Sequence, residues 1–328
     1  MSFRHLTIIS RAAVIAACAL FPTHGWAQSY PEKPITIVVP FSAGGGVSAF
    51  GQDMIKDMQP ILGQEMVLEY HPGSGGLIGA TEVAKADPDG YTLLLSTAGP
   101  ITVSPLVYDE VAFDPVEDFD HIVRMGSVPY VLVAHKDMGV STLEEFLEKV
   151  KSGPGEVSYG SAGTGAINFL AMELLQEKSD VELLHIPYQG TSPMTVDLVA
   201  GRLNAAMLIP KSIEQYVDDG TLIPLAVTGP KRSELYPDVP TLTEAGVDVN
   251  VTSWYGLSAP AGTDPAIIEK LNEAGQAIIT NDSFPKRIEA RGLSIDGSAS
   301  PADFEQSIED QLATWKGVLE RVGAAGTK

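Results

Sequence analysis

Cysteine is almost absent: Cys18 is the single one in 328 residues. It lies in an N-terminal stretch that reads as a removable export signal. The mature chain therefore carries no disulfide, no thiol nucleophile and no cysteine metal ligand. Size rather than cross-links must stabilise the fold. Basic residues are also scarce, with Lys and Arg totalling 21 against 42 Asp and Glu, a formal charge of -21. So acidic a chain argues against nucleic acid as a partner, because phosphate binding needs a basic face. The acidity serves solubility instead. Histidine is sparse, and neither a His-Glu-x-x-His helix nor a spaced Cys/His set occurs, so no metal site is expected. Long apolar runs are missing as well, and nothing beyond the first 27 residues could span a bilayer. There is no low-complexity segment and no tandem repeat.

The first 27 residues have the parts of a secretory signal. Arg4 and Arg11 supply positive charge, Ala12 to Phe21 is apolar, and Gly25-Trp26-Ala27 puts small residues at the cleavage positions. The expected mature chain starts at Gln28, in the periplasm. Ile15-Ala16-Ala17-Cys18 offers an alternative, since it resembles a lipoprotein box that would lipidate Cys18.

Hydrophobic residues make up 44% of the chain, enough for a sizeable core and for two domains. Two loops stand out within it. Ser42-Ala43-Gly44-Gly45-Gly46 separates the apolar run Ile35 to Val39 from Val47, Phe50, Met54, Met58 and Ile61 at helical spacing. Ser161-Ala162-Gly163-Thr164-Gly165 separates Val157 to Gly160 from Ile167, Leu170, Ala171 and Leu174, again at helical spacing. Both loops read Ser-Ala-Gly-x-Gly between a strand and a helix. Glycine lets backbone N–H groups approach a ligand closely. A helix N-terminus adds unpaired N–H groups and partial positive charge. One such loop could be only a tight turn. Two facing one another predict a clamp for an anion such as a carboxylate.

Strands over 35–40, 66–70 and 91–95 alternate with helical patterns, which argues a doubly wound α/β sheet. Gly63 ends the first helix. Ligands in such sheets sit at the carboxyl ends of strands, where Ser96-Thr97-Ala98-Gly99-Pro100 also lies. Val128 to Ala134 reads as extended. Ser141-Thr142-Leu143-Glu144 reads as a capping box. Strands over 181–187, 203–209 and 222–228 then predict a second α/β domain. Val251 to Leu257 begins a return to the first. Ile267 to Ile279 is a helix, and Ser300-Pro301-Ala302-Asp303 caps another whose stripe is Phe304, Ile308, Leu312, Trp315 and Leu319.

Catalytic signals are weak, and no catalytic residue and no cofactor is assigned. His135 and His185 lie in apolar strands and read as core residues, while His71 and His121 lie near turns and read as exposed. Ser161 is one residue off a Gly-x-Ser-x-Gly elbow, so an exported α/β enzyme is one alternative. Gly44-x-Gly46-x-x-Ala49 with Glu69 approximates a dinucleotide fingerprint, so an oxidoreductase is another. The loop Pro40 to Ala43 is longer than that fingerprint's tight turn, and export argues against a diffusible nicotinamide.

Several motifs carry a family likeness. Tyr30-Pro31-Glu32-Lys33-Pro34-Ile35, Val39-Pro40-Phe41-Ser42-Ala43-Gly44-Gly45, Pro72-Gly73-Ser74-Gly75-Gly76 and Asp87-Pro88-Asp89-Gly90-Tyr91 are four of them. Tyr159-Gly160-Ser161-Ala162-Gly163, His185-Ile186-Pro187-Tyr188-Gln189-Gly190, Asp238-Val239-Pro240-Thr241 and Ser253-Trp254-Tyr255-Gly256-Leu257 complete the set. In this order, over nearly the whole mature chain, they resemble the Bug family of periplasmic solute-binding proteins of tripartite tricarboxylate transporters. The resemblance implies a two-lobed Venus-flytrap fold with a doubly crossed hinge. One lobe would comprise residues 28–127 plus 254–328, the other 128–253. It also implies a monomer that captures a small organic carboxylate and meets large and small membrane subunits.

In such proteins the two glycine loops hold the carboxylate through backbone N–H groups and water. Here the first loop would contribute Phe41, Ser42, Ala43, Gly44, Gly45 and Ser48, with Thr97 and Ala98 beside it. The second would contribute Ser161, Ala162, Gly163, Thr164, Gly165 and Asn168, with Tyr188, Gly190 and Thr191 following. No Arg or Lys lies in 41–48 or 160–168, so binding without a salt bridge is expected, helped by the hydroxyls of Ser42, Ser48, Ser161 and Thr164. Many members carry Asp where this chain has Ser48. Met207 and Leu208, in the apolar run Ala205 to Ile209, would line the far end and favour an apolar or aromatic carboxylate.

Overall fold

A computed structural model describes residues 30–326; the signal, its cleavage site at Gln28 and Cys18 lie outside the described residues. The strands are β1 (Ile35–Val39), β2 (Met66–Tyr70), β3 (Thr92–Thr97), β4 (Phe119–Pro129) and β5 (Val131–His135), then β6 (Ser158–Ser161), β7 (Leu184–Pro187), β8 (Ala205–Leu208), β9 (Leu222–Val227) and β10 (Thr252–Pro260). The helices are α1 (Gly46–Leu62), α2 (Leu77–Ala84), α3 (Ser104–Val107), α4 (Leu143–Ser152) and α5 (Ile167–Ser179), then α6 (Thr191–Val199), α7 (Glu214–Asp218), α8 (Pro265–Ile279), α9 (Phe284–Glu289) and α10 (Pro301–Arg321).

They build two five-stranded sheets, ordered β2-β1-β3-β10-β4 and β7-β6-β8-β5-β9. β1, β2 and β3 run parallel, so the three loops that follow them share one edge. β10 is antiparallel to both β3 and β4, and β5 is antiparallel to β8 and β9, so each sheet is mixed rather than wholly parallel. The architecture is the α/β, two-lobed one that the sequence predicts.

The extended run Val128 to Ala134 is not one strand. β4 ends at Pro129 in the first sheet, and β5 begins at Val131 in the second, with Tyr130 between them. The return crossing is Val251, next to β10. Thr228 ties the two crossings together. Its Oγ1 accepts from Tyr130 N at 2.9 Å and donates to Val251 O at 2.6 Å, while its backbone bonds both Tyr130 and Val251 at 2.9 Å. The residue is fully buried. Thr228→Val keeps the shape but leaves a buried N–H and a buried carbonyl without side-chain partners. An unpaired buried group costs about 1–3 kcal/mol, so urea denaturation should show about 2 kcal/mol lost.

Helix boundaries follow local chemistry. α1 ends at Gly63, whose φ of 72° allows its N–H to reach Gln59 O. Phe50, Met54 and Met58 are buried as the spacing predicts, but Ile61 is exposed and Leu62 turns inward instead. Ser300 caps α10 by accepting from Asp303 N at 3.2 Å. On α10, Phe304, Ile308 and Leu319 are buried, with Leu312 and Trp315 half-buried at the rim. The cap of α4 lies one residue later than expected. Thr142 accepts from Glu145 N at 3.2 Å, and the Glu145 carboxylate accepts from Ser141 N at 2.6 Å, so the reciprocal acid is Glu145, not Glu144. His121 is also corrected, from an exposed turn residue to a core one only 2% exposed. β4 begins earlier than the hydropathy suggests, and places the ring between Phe119 and Phe304 at 5.9 and 5.4 Å.

Candidate functional site

A cavity lies where the two sheets' loops meet. Phe41, Ser42, Gly45, Gly46, Val47, Thr97 and Gly99 line it from the first lobe, and Ala162, Ala166, Ile167, Asn168, Thr191 and Ile209 from the second. Tyr130, Ser253 and Tyr255 complete it beside the crossings. The empty space is about 490 Å³, and the cleft is closed over it by contacts such as that of Ser42 with Gln189. No Arg, Lys, His, Asp or Glu is among these lining residues.

Two helix N-termini open onto this space. α1 starts from Gly45 and α5 from Ala166; neither start has a side-chain cap, and neither first turn holds an acid. The first-turn N–H groups of Gly46 and Val47, and of Ile167 and Asn168, have no intrahelical acceptor by helix geometry. All four residues line the cavity. Both positive helix ends thus remain uncompensated at one place. Phe41 and Val47 pack against Ala162 and Ala166 across the gap, so the two glycine loops do face one another.

Of the residues expected at the site, Phe41, Ser42, Gly45, Thr97, Ala162, Asn168 and Thr191 line the cavity. Ser42 is a latch between lobes rather than a free donor, because its N and Oγ both donate to Gln189 O at 3.1 and 2.7 Å. Ala43 and Gly44 are exposed on the rim. Ser48 turns to β2, with its Oγ 2.9 Å from Tyr70 Oη. Ala98 is buried at the start of a turn behind the wall. Ser161 is fully buried, with its Oγ 2.7 Å from His185 Nε2. Of the four hydroxyls expected to hold an anion, those of Ser42, Ser48 and Ser161 are therefore already engaged.

The rest of the second loop seals the cleft. Gly163, at φ 129°, lies against Gly75, and Gly165, at φ 90°, lies against Ser104. The Tyr108 phenol, its pKa raised by burial, faces Thr164 across the gap. Gly190 backs onto Ser42 in the same way, and Tyr188 donates to Asp197 Oδ2 at 2.6 Å, on the outside of its own lobe. Met207 and Leu208 are wholly buried in β8, and the next residue, Ile209, is the one that reaches the cavity. Asn168 spans from the Ala162 N–H, which it accepts, to Met207 O, to which it donates.

Gly46, Val47, Gly99, Tyr130, Ala166, Ile167, Ile209, Ser253 and Tyr255 were not anticipated. Val47 and Ile167 read as the first residues of core stripes, and first-turn position was the signal that they also border a ligand. Burial pushes the Tyr130 phenol up to about 12 and the Tyr255 phenol well above its usual range, so both stay neutral. The enzyme alternatives find little footing. The Ser161–His185 pair lies outside the cavity lining, and Glu69 is exposed on β2 beside His71.

Comparisons with known proteins place the family and the fold. The family described as "Tripartite tricarboxylate transporter family receptor" matches residues 52–324. BugT of Bordetella pertussis is 32% identical over 91% of this chain and 92% of its own. A Rhodopseudomonas palustris protein solved with adipate is 31% identical, covers 90% of this chain and 99% of its own, and superposes with a TM-score of 0.86. MatC of the same organism, solved with bound malate, is 28% identical, covers 88% and 100%, and superposes at 0.84. No helix among the described residues is long and apolar enough to cross a membrane.

Proposed function

Since this chain belongs to the tripartite tricarboxylate transporter receptor family, we propose that it captures a small carboxylate in the periplasm and hands it to the transporter's large and small membrane subunits. The observation that carries this reading is the pair of uncapped, acid-free helix N-termini opening onto one cavity without charged side chains. One carboxylate bridges them, accepting from the N–H groups of Gly46 and Val47 on one side and Ile167 and Asn168 on the other. Each hydrogen bond to a charged group contributes roughly 1.5–3 kcal/mol. Four supply roughly 6–12 kcal/mol, comparable to the roughly 8 kcal/mol of micromolar binding, and burial of the ligand's carbon skeleton offsets association costs. The wall of Phe41, Val47, Ala162, Ala166 and Ile209 holds the ligand's carbon skeleton. The protein works by binding and release, not by turnover.

Thermal shift against mono-, di- and tricarboxylates, with adipate and malate included, tests the reading. At least one acid should raise the melting temperature by several degrees, and mass spectrometry should recover it unchanged. No response to any carboxylate, or conversion of the bound acid, would sink it.

A further inference from the structure

The cavity at the helix ends has a neighbour. Beyond it lies a second space of about 560 Å³, lined by Ala49, Phe50, Lys211, Ser212, Arg291 and Leu293. Gly45, Gly46 and Ile209 border both spaces, so they form the partition between them. The two glycines contribute backbone alone, which leaves the Ile209 side chain as the part that fills the opening. It presses on α1 from the other lobe, so that a Cβ added to Gly46 would overlap Ile209 Cδ1. Its backbone is fixed. Ile209 O accepts from Ser212 N at 3.0 Å and from Ser212 Oγ at 2.7 Å, at the end of β8. Only side-chain rotation remains to a residue that is 6% exposed. A second stretch of the partition is aromatic. Phe50 on the outer side packs against Tyr255 on the inner side, with ring centroids 4.6 Å apart.

We propose that Ile209 sets the size limit for the ligand's carbon skeleton, by closing the inner cavity off from the outer space. This inference rests on the carboxylate reading above and adds where the ligand must stop. Ile209 stands against Gly46, whose N–H is one of those offered to the anion, so its side chain meets carbons close to the bound carboxylate. A β-branched side chain is stiff at χ1 and makes a firm wall. Close-packed walls respond to a change of a single methylene. The outer space is suited to an aliphatic extension. Ala49, Phe50 and Leu293 are apolar, and the stems of Lys211 and Arg291 add carbon while their charged ends pair with Glu214 and Asp53. What denies a larger acid that space is the side chain of Ile209.

Titration calorimetry on wild type, Ile209→Ala and Ile209→Leu tests this with saturated aliphatic mono- and dicarboxylates of rising size, straight and branched. Wild-type affinity should rise with size to a limit, then fall at least about tenfold within about two further carbons. Ile209→Ala should bind acids beyond that limit, so that its affinity ratio of larger to smaller acids rises at least about tenfold. Ile209→Leu conserves volume and should keep the wild-type limit to within about one carbon. Should circular dichroism show that the alanine variant does not fold, Ile209→Val removes one methyl and should shift the ratio the same way by less. A wild type without a size limit, a limit unmoved by trimming, equal weakening of all acids, or a leucine variant that shifts as far as alanine would each overturn the inference while the carboxylate reading stands. If wild type binds no carboxylate of any size, the carboxylate reading fails and this inference with it.

Discussion

Gly75→Ala should fold normally yet bind the carboxylate about a hundredfold more weakly. Gly75 sits at φ 63°, ψ 19°, a left-handed conformation that alanine enters for about 1–2 kcal/mol. The heavier effect lies across the cleft. A Cβ there would be 2.2 Å from the backbone oxygen of Thr164 and 3.2 Å from its carbonyl carbon. The Ser104 hydroxyl, 2.5 Å away, can rotate aside, but a backbone carbonyl held in the second glycine loop cannot. Thr164 belongs to the other lobe, so the clash exists only when the cleft is closed. The open form is spared, and apparent affinity falls with the closed fraction. A hundredfold loss corresponds to about 2.7 kcal/mol. Scattering with saturating ligand should leave the variant as extended as the ligand-free protein. Gly63→Ala is the control. Gly63 also has positive φ, at 72°, but nothing lies within 4 Å of its added Cβ. It should lose a similar small amount of stability and bind as wild type does. Wild-type binding by Gly75→Ala would mean that the liganded cleft does not close on this contact.

The same contact changes what Gly163→Val would do. From the loop alone, the valine would stand where the ligand must approach. In the structure a Cβ on Gly163 meets Gly75 Cα and N at 3.0 Å, so the variant would hold the lobes apart rather than fill the ligand's place. Such cross-cleft pairings were not legible in the sequence, because periodicity reports which face of an element is buried and not which distant loop covers it. What was legible is local. The runs that became β1, β2 and β3, the left-handed stop at Gly63 and the serine cap of α10 follow from short-range chemistry. The lobe arrangement came from the family likeness. Hydroxyl assignments failed for a different reason. Ser48 is taken by Tyr70, 22 residues on, and Ser161 by His185, so a serine in a glycine loop is no guide to a free donor until its neighbours are placed. Tyr130 and Tyr255 look like strand aromatics, and only the crossing beside each puts them on the cavity.

Acidification should unfold this protein partly through His121, at a cost of about 3 kcal/mol. The ring is 2% exposed, and burial lowers its pKa from 6.5 to about 4, against the opposing pull of its bond to Pro115 O. Nε2 lies 2.9 Å from that carbonyl and so carries the N–H, while Nδ1 lies 2.9 Å from Ser258 Oγ, whose own hydroxyl donates to Ser96 Oγ at 3.0 Å. Phe119 and Phe304 cover the ring, so a proton would place an uncompensated charge among aromatics. The unfolded chain takes up that proton near 6.5, and the folded chain resists until about 4. The stability is therefore complete above 6.5 and is lost as pH falls through 4. At about 1.4 kcal/mol per pH unit the window gives about 3 kcal/mol. Carboxylates titrate over the lower part of this range, so the wild-type curve alone cannot isolate the histidine. His121→Gln keeps a polar amide between Pro115 O and Ser258, and does not titrate. Urea denaturation of both proteins at several pH values should give a stability difference that is flat above about pH 6.5. Below that the wild type should lose ground steadily, by about 3 kcal/mol once the pH is well under 4. Parallel curves would mean that the folded protein accommodates the charged ring, and that the aromatic cage around His121 opens to water more readily than its burial implies.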